Sequence, residues 1–168
     1  TGDSEHISKG YSPMVIRFFM LQSHYRSTLD LTDDALLAAE KGYKRLMEGY
    51  KALGELGGAS GSADSVLDKE INELINGAYA EMHDDFDTPK ALARLFELVS
   101  KINSLNGGQL SLAEVSDATL QRLKDTFRNF IFDILGLLDE ETTAGGNNQA
   151  LDQAMALILD IRQEARAN

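Results

Sequence analysis

Apolar residues recur along this chain in alternating steps of three and four, and that spacing confines them to one stripe of an α-helix. From Leu36 the series runs through Ala39, Tyr43, Leu46, Tyr50 and Leu53, and from Leu120 through Leu123, Phe127, Phe130, Ile134 and Leu137. Leu151, Ala154, Ile158, Ile161 and Ala165 form a third series. Leu67, Ile71, Leu74, Ala78 and Met82 make a looser stripe. Leu92, Leu95, Phe96, Val99 and Ile102 make another, and Val15, Phe18 and Phe19 mark a shorter first helix. A helix with one apolar stripe must bury it against a neighbour. No stretch alternates with period two for long enough to argue for a strand. The pattern predicts an all-α fold, a bundle of amphipathic helices.

Helix-start chemistry agrees with the stripes. Ser12 before Pro13 sets a capping hydroxyl ahead of a proline whose missing N–H costs nothing there, and Thr88 before Pro89 repeats the device. Thr32 precedes Asp33 and Asp34, whose charge suits a helix N-terminus, and Ser116 with Asp117 opens a later helix similarly. Glycine-rich or polar stretches at 54–63, 106–111 and 139–149 read as loops. The expected organisation is a polar leader over 1–10, the bundle over 11–138, a flexible linker over 139–149 and a last region over 150–168. That last helix stops at Asn168 without a capping glycine, as a truncated C-terminal region would.

Composition narrows the function. The 168 residues carry a net charge of −11, whereas affinity for nucleic acid comes largely from Lys and Arg contacts to phosphate. Tight autonomous binding of RNA is therefore not expected, and DNA is not an expected partner. The chain has no cysteine, which excludes disulfides, thiolate metal sites and a cysteine nucleophile. No apolar run approaches the roughly 20 residues that cross a bilayer, and the leader does not read as a signal peptide. A cytoplasmic protein without a membrane partner is the expectation.

Two clusters could carry chemistry. Asp84, Asp85 and Asp87 lie beside His83 in MHDDFDTP, and carboxylates near a histidine can hold a divalent ion. The spacing fits no calcium loop, so capping of the helix begun at Pro89, with Phe86 packed inward, is preferred and no metal is assigned. His24, Tyr25, Arg26 and Ser27 follow the apolar run FFML. They could contact RNA or simply end a helix, where His and Arg meet unpaired carbonyls. His6 lies in the leader. Lys41, Lys44, Arg45 and Lys51 on one helix, with Arg122, Lys124 and Arg128 on another, are pieces of a basic strip or of an ordinary solvated face. No phosphate-binding glycine loop and no serine nucleophile motif is present.

Two strings go further. The segment from Tyr11 to Leu46, YSPMVIRFFMLQSHYRSTLDLTDDALLAAEKGYKRL, resembles the stretch that follows the KMSKS loop in cysteine–tRNA ligases. There a Val-Arg-Phe/Tyr-Phe helix leads into a His-Tyr-Arg-Ser turn. Val15, Arg17, Phe18 and Phe19, then His24 to Ser27, occupy those places. The segment from Met82 to Asn103 resembles the M-x-D-D-F-N/D-T-P corner of the same family, here Met82 to Pro89. The resemblance implies a helical bundle of the DALR anticodon-binding type, attached to a catalytic domain whose HIGH and KMSKS motifs are not in this chain. It further implies a parent enzyme that uses ATP to join cysteine to tRNA(Cys), with zinc selecting the thiol, and a leader linking the two domains. Neither ATP nor zinc is expected to bind this chain, and no catalytic residue is assigned. Arg17, His24, Tyr25, Arg26 and Ser27 become candidates for contact with tRNA or with the enzyme's own catalytic domain. Asp84, Asp85, Asp87, Thr88 and Pro89 remain a structural corner. The rival reading is a helical module that takes a partner helix into a groove, with no RNA role.

Overall fold

The computed structural model describes residues 10–139. Residues 1–9 of the leader, the expected linker beyond Asp139 and the stripe from Leu151 lie outside the described residues. Among the described residues there are five α-helices and no strand. They are α1 (Pro13–Leu21), α2 (Asp33–Glu55), α3 (Val66–His83), α4 (Thr88–Asn106) and α5 (Asp117–Arg128). A 3-10 turn (Leu112–Glu114) precedes α5 and a π-helical turn (Asn129–Ile134) continues it. One compact unit extends to Leu137.

Caps set most of the boundaries. The hydroxyls of Ser12, Thr32 and Ser116 accept from the backbone N–H groups of Val15, Ala35 and Thr119 at 3.2 Å each. Ser65 does the same for α3, accepting from Asp68 at 2.9 Å. The expected cap at Thr88 is displaced by one residue. Asp87 is the N-cap of α4, accepting from the Lys90 N–H at 3.2 Å, so Thr88 and Pro89 already lie inside the helix. A carboxylate meets the first-turn N–H groups and the helix dipole better than a neutral hydroxyl does.

The buried stripes meet in one core. Val15, Phe18 and Phe19 of α1 join Leu36, Ala39, Tyr43, Leu46 and Leu53 of α2 there. From α4 come Leu92, Leu95, Val99 and Ile102, and from α5 Leu120, Leu123 and Phe127. Four stripes depart in part from their expected positions. On α3 the fully buried series is Ile71, Ile75 and Ala78, while Leu74 and Met82 are half-buried; Tyr50 and Phe96 are half-buried also. After Arg128 the π-helical turn inserts a residue into the helical step. Ile131 and Leu135 are therefore buried, and Ile134, expected on the stripe, is 39% exposed. The Leu135 N–H donates five residues back to the Phe130 carbonyl at 2.8 Å, the signature of that turn.

Contacts between helices set their directions. The Tyr11 hydroxyl donates to the Asp33 carbonyl at the start of α2, and Gly42 farther along faces Phe18 and Gln22. Helices α1 and α2 therefore run side by side in the same direction, and residues 22–32 double back between them. Gly49 of α2 lies against Val99 of α4 so closely that a Cβ would fall 2.6 Å from a valine methyl. Asn106 donates to the Ala52 carbonyl at 3.0 Å. Helices α3 and α4 form a hairpin closed by the corner at residues 84–87.

A buried polar network fixes α5 on α3. Asp68 is only 2% exposed. Its carboxylate accepts from the Ser116 N–H at 2.7 Å, the Thr119 hydroxyl at 2.9 Å and the Asn72 amide at 3.2 Å. Burial pushes its pKa up. The bonds from Ser116, Thr119 and Asn72 more than offset this and hold the carboxyl below its usual range. Arg122 extends the network, donating to the side-chain carbonyls of Asn72 and Asn76 at 2.6 Å each.

Candidate functional site

The two chemistry-bearing clusters meet in space although about sixty residues separate them. Asp85, at the α3–α4 corner, is their common point. The Tyr25 hydroxyl donates to its Oδ1 at 2.6 Å. The Arg26 guanidinium lies 3.2 Å from its Oδ2, and His24 Nε2 stands 3.8 Å from the same oxygen. The His24 ring is stacked on Tyr25 at a centroid distance of 4.6 Å, and the Arg26 guanidinium sits 5.2 Å from the Tyr25 centroid. Arg26 N–H donates to His24 Nδ1 at 3.3 Å. With Nδ1 accepting, the proton of a neutral His24 is on Nε2, facing the Asp85 carboxylate.

Local backbone geometry explains why the corner presents Asp85 outward. Asp84 closes α3, its N–H donating to the Ala80 carbonyl at 2.9 Å. Asp85 and Phe86 then adopt left-handed backbone, with φ of 59° and 53°, before Asp87 caps α4. Ordinary L residues visit that region reluctantly. Thr88 N–H donates to the Phe86 carbonyl at 2.7 Å and Asp87 N–H to the Glu81 carbonyl at 3.1 Å, which hold the reversal. The inward packing expected of Phe86 does not occur: a left-handed residue at the tip points its side chain away from the hairpin, and Phe86 is 70% exposed.

Charge at the corner is largely paired. Lys90 Nζ lies 2.8 Å from Asp87 Oδ2, and that bond holds the Asp87 carboxyl below its usual range and raises the Lys90 ammonium. Arg94 lies 3.6 Å from Glu81. The Tyr25 phenol is raised, first by its bond to Asp85 and then by desolvation.

The remaining sequence candidates fall elsewhere. Arg17 turns toward the bundle, where its Nε donates to the Leu135 carbonyl at 2.8 Å. Its guanidinium fills the space where Gly136, at φ +60°, has no Cβ. Ser27 closes the turn by an N–H bond to the His24 carbonyl at 2.8 Å. The basic residues divide: Lys44 pairs with Glu40, Arg45 lies over Phe96, and Lys51, Lys124 and Arg128 line one concavity between α2 and α5. Asp68 was missed by the sequence reading. Its signal is the series 68, 71, 75, 78, a helical step with a carboxylate at its head. Among the described residues no group of three or more His, Cys, Asp or Glu side chains could hold a metal ion. No described helix is long and apolar enough to cross a membrane.

A family model for the DALR domain matches residues 78–139, from the end of α3 through the π-helical turn. The described residues thus form an all-α bundle, of which 78–139 match the DALR domain. Over its length the chain is homologous to the cysteine–tRNA ligases. That of Parabacteroides distasonis is 42% identical over 168 residues, taking in 100% of this chain and 33% of the relative. That of Porphyromonas gingivalis is 40% identical over 167 residues, with 99% and 32% covered. That of Deinococcus radiodurans is 37% identical over 168 residues, with 96% and 33% covered. The chain spans about a third of the length of the curated relatives it matches.

Proposed function

We propose that this bundle positions tRNA(Cys) for a cysteine–tRNA ligase, holding the tRNA and the enzyme's catalytic domain in register without taking part in the chemistry. The observation that carries the reading is the convergence of the His24–Ser27 turn and the Asp84–Pro89 corner on Asp85, in a chain homologous to those ligases. The parent enzyme, working in the cytoplasm, activates cysteine with ATP and joins it to the tRNA; zinc, when bound, selects the thiol. The described residues offer a zinc ion no ligand set, and no step of the positioning role uses one. In this reading residues 1–10 lead from the catalytic domain, 11–138 form the bundle and 139–149 lead into a C-terminal region. Tyr25 and Arg26, clamped by Asp85, tie the segment leaving α1 to the α3–α4 hairpin, and the exposed guanidinium keeps N–H groups free for RNA phosphate.

Arg26→Ala in the full-length enzyme tests this. The KM for tRNA(Cys) is expected to rise roughly tenfold, the size of one lost charged contact. Cysteine-dependent ATP–pyrophosphate exchange, which needs no tRNA, is expected to stay at the wild-type rate. An unchanged KM, or an equal loss in both assays, overturns the reading.

A further inference from the structure

We infer that Phe86 is a stacking platform for an unpaired base of the bound RNA; the inference rests on the tRNA-positioning reading and adds to it a base-contacting residue. Phe86 is among the most exposed large apolar side chains of the described residues, and it sits in a left-handed backbone that phenylalanine disfavours. Nothing in the bundle's packing needs a ring there. Residues held in sparsely populated backbone regions at exposed corners persist because the surroundings over-determine them. Here the clamp is visible: Asp85 is tied to Tyr25 and Arg26, and the Phe86 carbonyl is tied to the Thr88 N–H.

The chemistry around the ring selects its partner. A protein-docking hot spot sits within a larger apolar, water-excluding patch, whereas Phe86 is flanked in the chain by Asp84, Asp85 and Asp87. A phosphate brought to the ring would meet the exposed Asp84 carboxylate. The neutral face of a nucleobase stacks on the ring, and an exocyclic amino group finds acceptors in the neighbouring carboxylates. The Tyr25 ring is already occupied by the His24 ring and the Arg26 guanidinium, which leaves Phe86 as the free ring of the corner.

Two variants of the full-length enzyme and one crosslinker test the inference. Phe86→Gly removes the ring and relieves the left-handed backbone; Phe86→Leu keeps apolar bulk without a flat face. The Gly variant is expected to melt no lower than wild type, and both variants to raise the KM for tRNA(Cys) by roughly tenfold, the order of one lost base stack. ATP–pyrophosphate exchange should be unaffected. Benzoyl-phenylalanine placed at position 86 should crosslink to an unpaired nucleotide of the tRNA on illumination. A Leu variant with wild-type KM, a crosslink only to the enzyme's own catalytic domain, or no crosslink at all overturns the stacking role. If Arg26→Ala raises the KM while these outcomes occur, the positioning reading stands and only the role of Phe86 falls.

Discussion

Asp68 is a buried carboxylate at the joint between two helices. Its carboxylate gathers three donors from α3 and the start of α5, and only an acceptor can satisfy the Ser116 N–H. Asp68→Asn sets an amide donor against those donors and is expected to cost about 1–3 kcal/mol in urea unfolding. Because the folded-state pKa is depressed from a value near 3.8, the stabilisation is complete above the unfolded value and is lost as pH falls through the folded one. Wild type should therefore lose stability on acidification over that low window, while the Asn variant lacks this component; equal acid dependence in both proteins would disprove it. Residues of this kind are hard to read from sequence. Asp68 looks like an ordinary first-turn acid, and nothing local distinguishes it from Asp117. The bond between Tyr25 and Asp85 is hidden for the same reason, since no periodic rule links positions so far apart. Phe86 departs from its expected burial because apolar type predicts an inward side chain and the left-handed corner reverses it.

Two helices approach closely where Gly49 of α2 meets Val99 of α4. A β-branched valine in a helix has one strongly preferred rotamer, so its methyls cannot swing away from an added Cβ. Gly49→Ala should therefore destabilise by about 1–3 kcal/mol through overpacking, although alanine favours helix by up to about 1 kcal/mol. A melting temperature equal to or above wild type, measured by circular dichroism, would refute the crossing. Elements as such were legible: α1, α2, α4 and α5 each follow a stripe readable in the chain, because helical period is a local property. Register was less legible. Past Arg128 the step lengthens into a π-helical turn, and the Leu135 carbonyl just after it is met by Arg17, more than a hundred residues earlier in the chain. A contact of that span cannot be counted from spacing, nor can the π-helical step, which moves burial from Ile134 to Ile131 and Leu135.

A net charge of −11 on the whole molecule opposes RNA everywhere except at local cations, several of which are committed to internal partners. Arg122 is bound to two asparagines, Lys90 to Asp87 and Lys124 to the Leu56 carbonyl. The isolated chain is accordingly expected to bind tRNA(Cys) weakly because few phosphates are neutralised, and the affinity that remains, resting on those ion contacts, is expected to fall as salt rises. Tight binding that survives high salt would contradict this. The Arg17–Leu135 bond has one more consequence. It sets the first helix beside the last turn, so the path through the bundle begins and ends at one place. Such a path is a ring with a single gap, and the core does not dictate where that gap lies. Joined beside Arg17 and opened instead between Gly57 and Gly58, the same residues could be traversed in a different order with each buried contact kept.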